Sequence, residues 1–336
     1  MPDDQDDSGL DRARDALDPH SQLRIRAAWL YFIEGLTQAE VAERLGVNRV
    51  LITRLISEAR RRGEVVIRIN AEIEPIARLQ DRLATRFGLA RAILVPVVDP
   101  GTDPTRLIAA AAGAYVSEVV ADDQTIGVGW GRTLHSMLPF VEGRQLSGVR
   151  VVSLLGGIAR ARRFNPAEFA WRFAQLFDAE GFLIPAPALV DSVETKEALL
   201  ERCGLDQILQ MGESCDLALL SCGDIRSLTA SYRLGHVSAF ERQSLIDAGA
   251  VGDILYNFLD RRGRPVSHPV NDRAISLPPD RLRRIRTKIL ISGGTEKAEI
   301  MLAVIRLIGP DVVITDAATA ERILALADED AAGADG

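Results

Sequence analysis

The chemistry in this chain gathers where apolar runs give way to glycine. Ile126-Gly127-Val128-Gly129-Trp130-Gly131-Arg132-Thr133-Leu134 sets three glycines on alternate positions, and a helix is expected to start near Thr133. Without Cβ atoms such a loop lets backbone N–H groups close on an anion, and the helix N-terminus adds partial positive charge. Arg132 and the Thr133 hydroxyl would complete a phosphate cradle around Gly129, Trp130 and Gly131. Tight strand-to-helix turns use the same alternation without a ligand, so the pattern alone leaves both readings open. It is not the dinucleotide fingerprint, because the third Gly follows the second by two residues rather than three, and no Gly-Lys-Ser/Thr makes it a P-loop.

A second loop, Ile291-Ser292-Gly293-Gly294-Thr295-Glu296-Lys297, repeats the order of strand, glycine turn and helix. The chain is rich in Arg and has only three lysines, Lys196, Lys288 and Lys297, so a Lys one turn beyond a Gly-Gly loop stands out. Gly156-Gly157, Asp191, Asp224, Asp253 and Asp316 lie at other expected strand ends. Carboxylates near a phosphate loop suit sugar hydroxyls, although each alone serves equally as a helix cap or surface charge. No catalytic constellation accompanies them. His20, His135, His236 and His268 have no metal-ligand spacing, no GxSxG elbow is present, and Cys203, Cys215 and Cys222 form no CxxC pair. No metal and no cofactor is expected, and the cysteines are expected to be reduced.

These loops need strands to hold them. Ala92–Val97, Thr125–Val128, Val149–Leu155, Asp216–Ser221, Lys288–Ile291 and Val312–Thr315 read as buried strands alternating with amphipathic helices. Continuous β-branched runs of this kind predict a mainly parallel, Rossmann-like α/β domain covered on both faces. In such sheets ligands sit at the carboxyl ends of the strands.

Another pattern precedes that domain. In Leu36–Arg62, Thr37 and Glu40 form a capping box for a helix that turns Ala39, Val41, Ala42 and Leu45 inward and stops at Gly46. Asn48 caps a second helix whose apolar face is Ile52, Leu55, Ile56 and Ala59. Two short helices joined through a Gly turn predict a helix-turn-helix that reads double-stranded DNA. Its outer face offers Arg49, Val50, Thr53, Arg54 and Ser57. Arg can reach guanine edges or phosphates, and Val can touch a thymine methyl. Arg60, Arg61 and Arg62 make a basic end suited to the sugar-phosphate backbone. An earlier helix, Gln22–Glu34, brings Leu23, Ala27, Leu30, Tyr31 and Ile33 beneath this unit. Val65–Ile69 reads as a wing or a short exit strand.

Composition fits that division. The 336 residues are 47% hydrophobic and 26% charged, with net charge −7. Residues 21–70 nevertheless hold nine Arg against five Glu, while residues 1–20 hold seven Asp against two Arg. Charge local to the docking face decides phosphate affinity, so the acidic total is compatible with DNA binding. The expected organisation is an acidic disordered tail (1–20), a helix-turn-helix domain (21–70), a linker helix (71–88) and an effector-binding α/β domain (89–330). The Ile76, Leu79, Leu83 and Phe87 stripe of the linker helix either packs on its own domain or pairs two subunits. The polar N-terminus is not a signal peptide and no apolar run is long enough for a membrane helix, so a cytoplasmic protein with no membrane partner is expected. A single helix-turn-helix reads few base pairs, which predicts a homo-oligomer, a dimer or tetramer.

Taken in order, these motifs resemble the SorC family of sugar-binding bacterial transcriptional regulators, from about residue 22 to 327. The resemblance rests on the helix-turn-helix, the GVGWGRTL loop, the SLLGGI strand-turn, and Pro185-Ala186-Pro187-Ala188-Leu189-Val190-Asp191-Ser192. It continues through Gly249–Asp253, Gly293–Lys297 and Ile314–Ala320. It implies an effector domain built like the phosphosugar isomerases and deaminases, binding a sugar, polyol or sugar phosphate without turnover. It also implies that Gly129, Gly131, Arg132 and Thr133 hold a phosphate or other polar end, that Lys297 neutralises charge, and that Asp253 binds a hydroxyl. Asn48-Arg49-Val50 stands where the family commonly has Ser or Thr, so a different operator is expected. Leu154-Leu155 before Gly156-Gly157 argues against a doubly phosphorylated ligand. The rival reading is an active phosphosugar isomerase or deaminase fused to a DNA-binding domain.

Overall fold

The structure, a computed structural model, describes residues 18–65, 73–96, 102–158, 165–226 and 237–334. The chain divides into two compact units, Met1–Asn70 and Ala71–Gly336.

In the first unit, α1 (Pro19–Phe32) starts on an Asp18 cap with Pro19 at its first position, where a missing N–H costs nothing. α2 (Gln38–Leu45) carries the expected capping box: the Thr37 hydroxyl accepts from Glu40 N–H at 3.3 Å, and the Glu40 carboxylate accepts from Thr37 N–H at 2.7 Å. It ends on Gly46 at φ 67°, a left-handed cap without Cβ penalty. α3 (Arg49–Arg61) is capped by Asn48, whose side-chain oxygen accepts from Leu51 N–H at 2.8 Å. Ala27, Leu30, Val41, Ala42, Ile52, Leu55 and Ile56 form the core. Two inward expectations fail, since Ala39 and Ile33 are both exposed. Arg24 holds the unit together in a way the sequence did not announce. Its buried guanidinium donates to both Glu64 carboxylate oxygens, at 2.7 and 2.5 Å, and lies 3.6 Å from Glu58. A buried charge is tolerated only when paired this way. Most of the wing candidate, Val66–Ile69, and most of the acidic tail lie outside the described residues.

The second unit opens with α4 (Ile73–Phe87), whose Leu79 and Leu83 are buried in that unit's own core. The strands are β1 (Arg91–Val95), β2 (Thr125–Val128), β3 (Arg150–Ser153), β4 (Glu180–Phe182), β5 (Leu217–Leu220), β6 (Gly223–Asp224), β7 (Ala250–Ile254), β8 (Asn257–Asp260), β9 (Thr287–Ile291) and β10 (Val312–Asp316). Seven make one sheet in the order β1-β10-β9-β5-β2-β3-β4, with every pairing parallel. Successive residues of one strand face opposite cores: Ala218 and Leu220 join one cluster, Leu217 and Leu219 the other. This two-sided burial explains why the strands read as unbroken apolar runs.

α5 (Thr105–Val119), α6 (Arg132–Met137) and α7 (Pro166–Gln175) contribute to the core on one face. α8 (Asp206–Glu213), α10 (Ala298–Ile308) and α11 (Ala317–Ala334) contribute to the other, between them α9 (Ala239–Asp247) in chain order. β4 and a separate antiparallel sheet, β6-β7-β8, are additions to the expected strands. α10 is buried on nearly all sides and packs on β7 and β8. The chain runs β2-β3-β4 in one direction and then resumes with β5 on the other side of β2. The reversal makes the carboxyl ends of β2 and β5 the topological switch point, where open α/β sheets bind ligands.

Candidate effector site and DNA-reading face

At the switch point the loop after β2 meets the end of β5. Gly131 is the N-cap of α6 at φ 143°, a backbone conformation that L side chains rarely adopt. A Cβ there would stand 3.5 Å from Ser221 Cβ and Oγ, which is ordinary contact. Its glycine is therefore demanded by backbone conformation, not by crowding. Gly129 is bound into the sheet: its N–H donates to Leu219 O at 2.8 Å. Trp130 is buried and its indole stacks on Tyr256, with centroids 5.7 Å apart and planes within 10°. Thr133 is buried, whereas Arg132 is half-exposed and pairs with Asp103 at 2.9 Å.

Tyr256 sits on a turn with unusual chemistry. β7 and β8 are joined by Leu255 and Tyr256, with φ of 51° and 60°, where a two-residue hairpin normally uses Asn and Gly. Two bulky residues in left-handed conformation store strain on the order of 1–3 kcal/mol each. The surroundings over-determine them. Asp253 Oδ2 accepts from Tyr256 N–H at 3.0 Å, and the Asn257 amide donates to Ile254 O, Leu255 O and Ser276 Oγ at 3.2, 3.1 and 3.1 Å.

Asp253 is 4% exposed, and its Oδ1 has no hydrogen-bond partner among the described residues. Burial pushes its carboxyl from 3.8 up to about 7, against the lowering effect of the Tyr256 N–H. Ser292 Oγ, after β9, is also buried, with the Cys222 thiol as its neighbour. Cys222, after β5, reports on what surrounds these atoms. Burial raises its thiol to about 11, opposed by the Lys297 ammonium and the Ser292 hydroxyl and supported by Asp253 and Asp224. Lys297 is buried at the end of the Thr295–Lys297 turn. It also reaches Asp103: burial opposes ionisation there, but Thr105, then Arg132 and Lys297, hold that carboxyl below its ordinary range. Asp316, by contrast, is a structural cap. It accepts from Gly294 N–H at 2.9 Å and from the Thr319 N–H and hydroxyl at 2.9 and 2.7 Å.

The structure therefore gathers Trp130, Asp253 and Lys297, with Gly131, Arg132 and Thr133 leading into the same edge. Gly156 and Gly157 offer no free amides: their N–H groups donate to Ile275 O and Ala186 O at 2.9 and 2.7 Å. Gly156 is instead required by packing, since a Cβ would meet Ala186 O at 2.5 Å. Asp191 is exposed, its carboxylate lowered first by the Thr195 hydroxyl and then by nearby backbone, and no hydrogen bond among the described residues ties it to Asp253 or Lys297. Ser221, Cys222, Ser292, Tyr256 and Asn257 were not singled out by sequence. Position alone could have found the first three, because each follows a central strand near the switch point.

On the reader unit, Arg49, Val50 and Arg54 are exposed along α3, and Val50 is 79% exposed. An apolar side chain held that bare beside two guanidinium groups matches a groove edge with methyl and acceptor groups. Thr53 is exposed, but its hydroxyl donates internally to Gln38 Oε1 at 2.8 Å and Arg49 O at 3.1 Å. Thr37 and Asn48 are engaged as caps. The basic end is partly committed: Arg60 lies over the Phe32 ring at 5.0 Å, and Arg62 pairs with Glu58 at 2.9 Å.

Known proteins resemble the chain along most of its length. The model of the sugar-binding domain family, Sugar-bind, matches residues 71–325. The deoxyribonucleoside regulator of Bacillus subtilis is 30% identical over 305 residues, covering 90% of this chain and 97% of that protein. The erythritol catabolism regulatory protein EryD of Brucella abortus is 28% identical over 312 residues, covering 91% and 98%. The full-length sorbitol operon regulator SorC from Klebsiella pneumoniae superposes with a TM-score of 0.68 at 26% identity, covering 91% of this chain and 98% of that one. A helix-turn-helix followed by this doubly wound domain, on a chain matched nearly end to end by such relatives, belongs to the SorC family of sugar-binding transcriptional regulators.

Proposed function

We propose that α3 reads double-stranded operator DNA through Arg49, Val50 and Arg54, under the control of a sugar, polyol or sugar phosphate held at the carboxyl ends of β2, β5 and β9. The observation that carries the effector half is the buried Asp253 Oδ1, which has no hydrogen-bond partner among the described residues, in a cluster that includes the Ser292 hydroxyl and the Lys297 ammonium. Buried polar atoms left unpaired cost about 1–3 kcal/mol each, so a ligand whose hydroxyls complete them recovers that energy. In this reading Lys297 faces an anionic or polar end, Asp253 a hydroxyl, and Trp130 stacked on Tyr256 forms an apolar wall for the carbon skeleton. Gly131, Arg132 and Thr133 border the polar end. Gly129 and Gly156 act by close packing, Gly157 through its N–H bond to Ala186 O, and Asp191 by loop capping.

In this reading the chain works as a cytoplasmic homo-oligomer, and it binds its effector without turnover, the latter supported by the naming of its relatives as regulators. The test is thermal unfolding of the full chain against sugars, polyols and their monophosphates, followed by operator retention with and without any hit. A ligand at 100 times its Kd stabilises by about 2.7 kcal/mol. A cooperative unfolding transition that no member moves would refute the effector site. Product formed from a sugar phosphate would favour the fused isomerase or deaminase.

A further inference from the structure

The loop ahead of α5 carries a carboxylate to the polar end of the effector site. Asp103 Oδ2 lies 2.9 Å from Arg132 Nη1, and its Oδ1 accepts from Arg132 Nη2 at 3.4 Å, so the guanidinium meets the carboxylate with both ends of its fork. Oδ1 also accepts from the Thr105 N–H, at the start of α5, at 3.0 Å. α5 packs along α6, which Arg132 opens. Gly293, in the turn after β9, lies so close to α5 that a Cβ there would collide with Ile108. Both glycine turns therefore flank the helix that Asp103 leads. Lys297, at the end of the β9 turn, is buried and forms no ion pair among the described residues, yet its ammonium acts on the Asp103 carboxylate from beyond pairing distance. We propose that Asp103 stands in for the effector's anionic group, holding Arg132 in the ligand-free protein, and that a phosphate or carboxylate on the effector binds by displacing it. The proposal rests on the effector site described above and gives that effector's chemical class, an anion.

Three features make Asp103 an occupant and not a fixed part. Its pair is open to water: the Arg132 and Asp103 side chains are 48% and 55% exposed. Ion pairs that exposed contribute little, so exchanging this carboxylate for another anion costs little. Lys297 has the opposite character. A charge taken out of water calls for a close partner, and Asp103, tied to Arg132 and the Thr105 N–H, stands too far away to supply one. An anion free to sit between Arg132 and Lys297 would meet both cations at once. Asp316 shows the contrast with a carboxylate that stays in place. It is buried and accepts from the Gly294 N–H and from the Thr319 N–H and hydroxyl. The exchange also makes Asp103 a filter, since a neutral sugar or polyol leaves Arg132 with its carboxylate and only an anion can take it.

The test is calorimetric titration of the full chain at low ionic strength with inorganic phosphate, for a phosphoryl group, and with acetate, for a carboxylate. Asp103→Asn keeps the shape and the acceptor for the Thr105 N–H but gives up the charge. It should bind at least one of the two anions about two- to fivefold tighter than the unmodified chain does, the range an exposed ion pair is worth. The anion that gains more identifies the group on the effector. Arg132→Gln should weaken that anion, and in the Arg132→Gln background Asp103→Asn should bring no gain. Affinities that Asp103→Asn leaves unchanged or lowers overturn the proposal. So does a gain that persists in full without Arg132, the mark of a general field and not of a displaced carboxylate. If neither anion binds either protein the proposal falls as well, while a neutral sugar or polyol that moves the thermal transition would leave the effector site itself standing.

Discussion

Asp253→Asn should make the ligand-free protein more stable and unresponsive to effector. Burial holds the Asp253 carboxyl at about 7 in the folded chain, against an ordinary 3.8. Each unit of difference is worth about 1.4 kcal/mol, so ionising this group inside the fold carries a penalty of about 4 kcal/mol. The sign follows from proton counting. Below pH 4 both folded and unfolded states hold the proton and the group is neutral to stability. Between pH 4 and 7 the unfolded chain releases it while the folded chain retains it, so its contribution falls by about 1.4 kcal/mol per pH unit. Above pH 7 the loss is complete. Asparagine keeps an acceptor for the Tyr256 N–H but cannot ionise, so that slope disappears. Urea unfolding of both proteins from pH 4.5 to 8.5 measures the difference. Carboxyls shifted the other way, such as Asp103, Glu241 and Asp260, are common to both and cancel. The mutant's advantage should grow by about 3 kcal/mol between pH 4.5, where about 1 kcal/mol of the penalty is already present, and pH 8, and an imperfect amide fit would lower both ends alike. A pH-independent difference would refute the argument that Asp253 is buried and unpaired.

Other substitutions separate the parts of the molecule. Lys297→Met keeps the apolar stem and removes the charge, so it should weaken a phosphorylated effector by about 1.5–3 kcal/mol in calorimetric titration; equal affinity would mean a neutral ligand or a different site. Arg49→Ala should cost about 1–3 kcal/mol of preference at one base pair, read in salt-controlled binding to a selected duplex; unchanged preference would leave Arg49 a phosphate contact or a bystander. Asn257→Ala removes the donor for Ile254 O, Leu255 O and Ser276 Oγ. It should destabilise by about 1–3 kcal/mol in urea and loosen the effector site, and a mutant with native stability would show that the strained turn holds without it.

What the sequence disclosed, and what it withheld, follows from how local each cause is. The helix-turn-helix was readable because Thr37, Glu40, Gly46 and Asn48 act on atoms within three residues of themselves, and the structure places each cap where the spacing put it. The strands were readable because burial on both faces leaves no polar alternation to confuse them. The antiparallel sheet was not, because Leu255-Tyr256 is the reverse of turn chemistry. Asp253, Asn257 and Ser276, gathered from separate strands and loops, help to hold those two residues at positive φ. The same distance from local cause separates the glycines. Gly129, Gly156 and Gly157 look identical to cradle glycines in the sequence, yet their N–H groups are engaged by Leu219, Ile275 and Ala186 respectively, which lie far along the chain. A carboxylate's protonation is less local still. Asp253 titrates near neutrality because of what covers it, so the residue most able to report an arriving ligand is one whose chemistry exists only after the sheet, the hairpin and the β9 loop have closed around it.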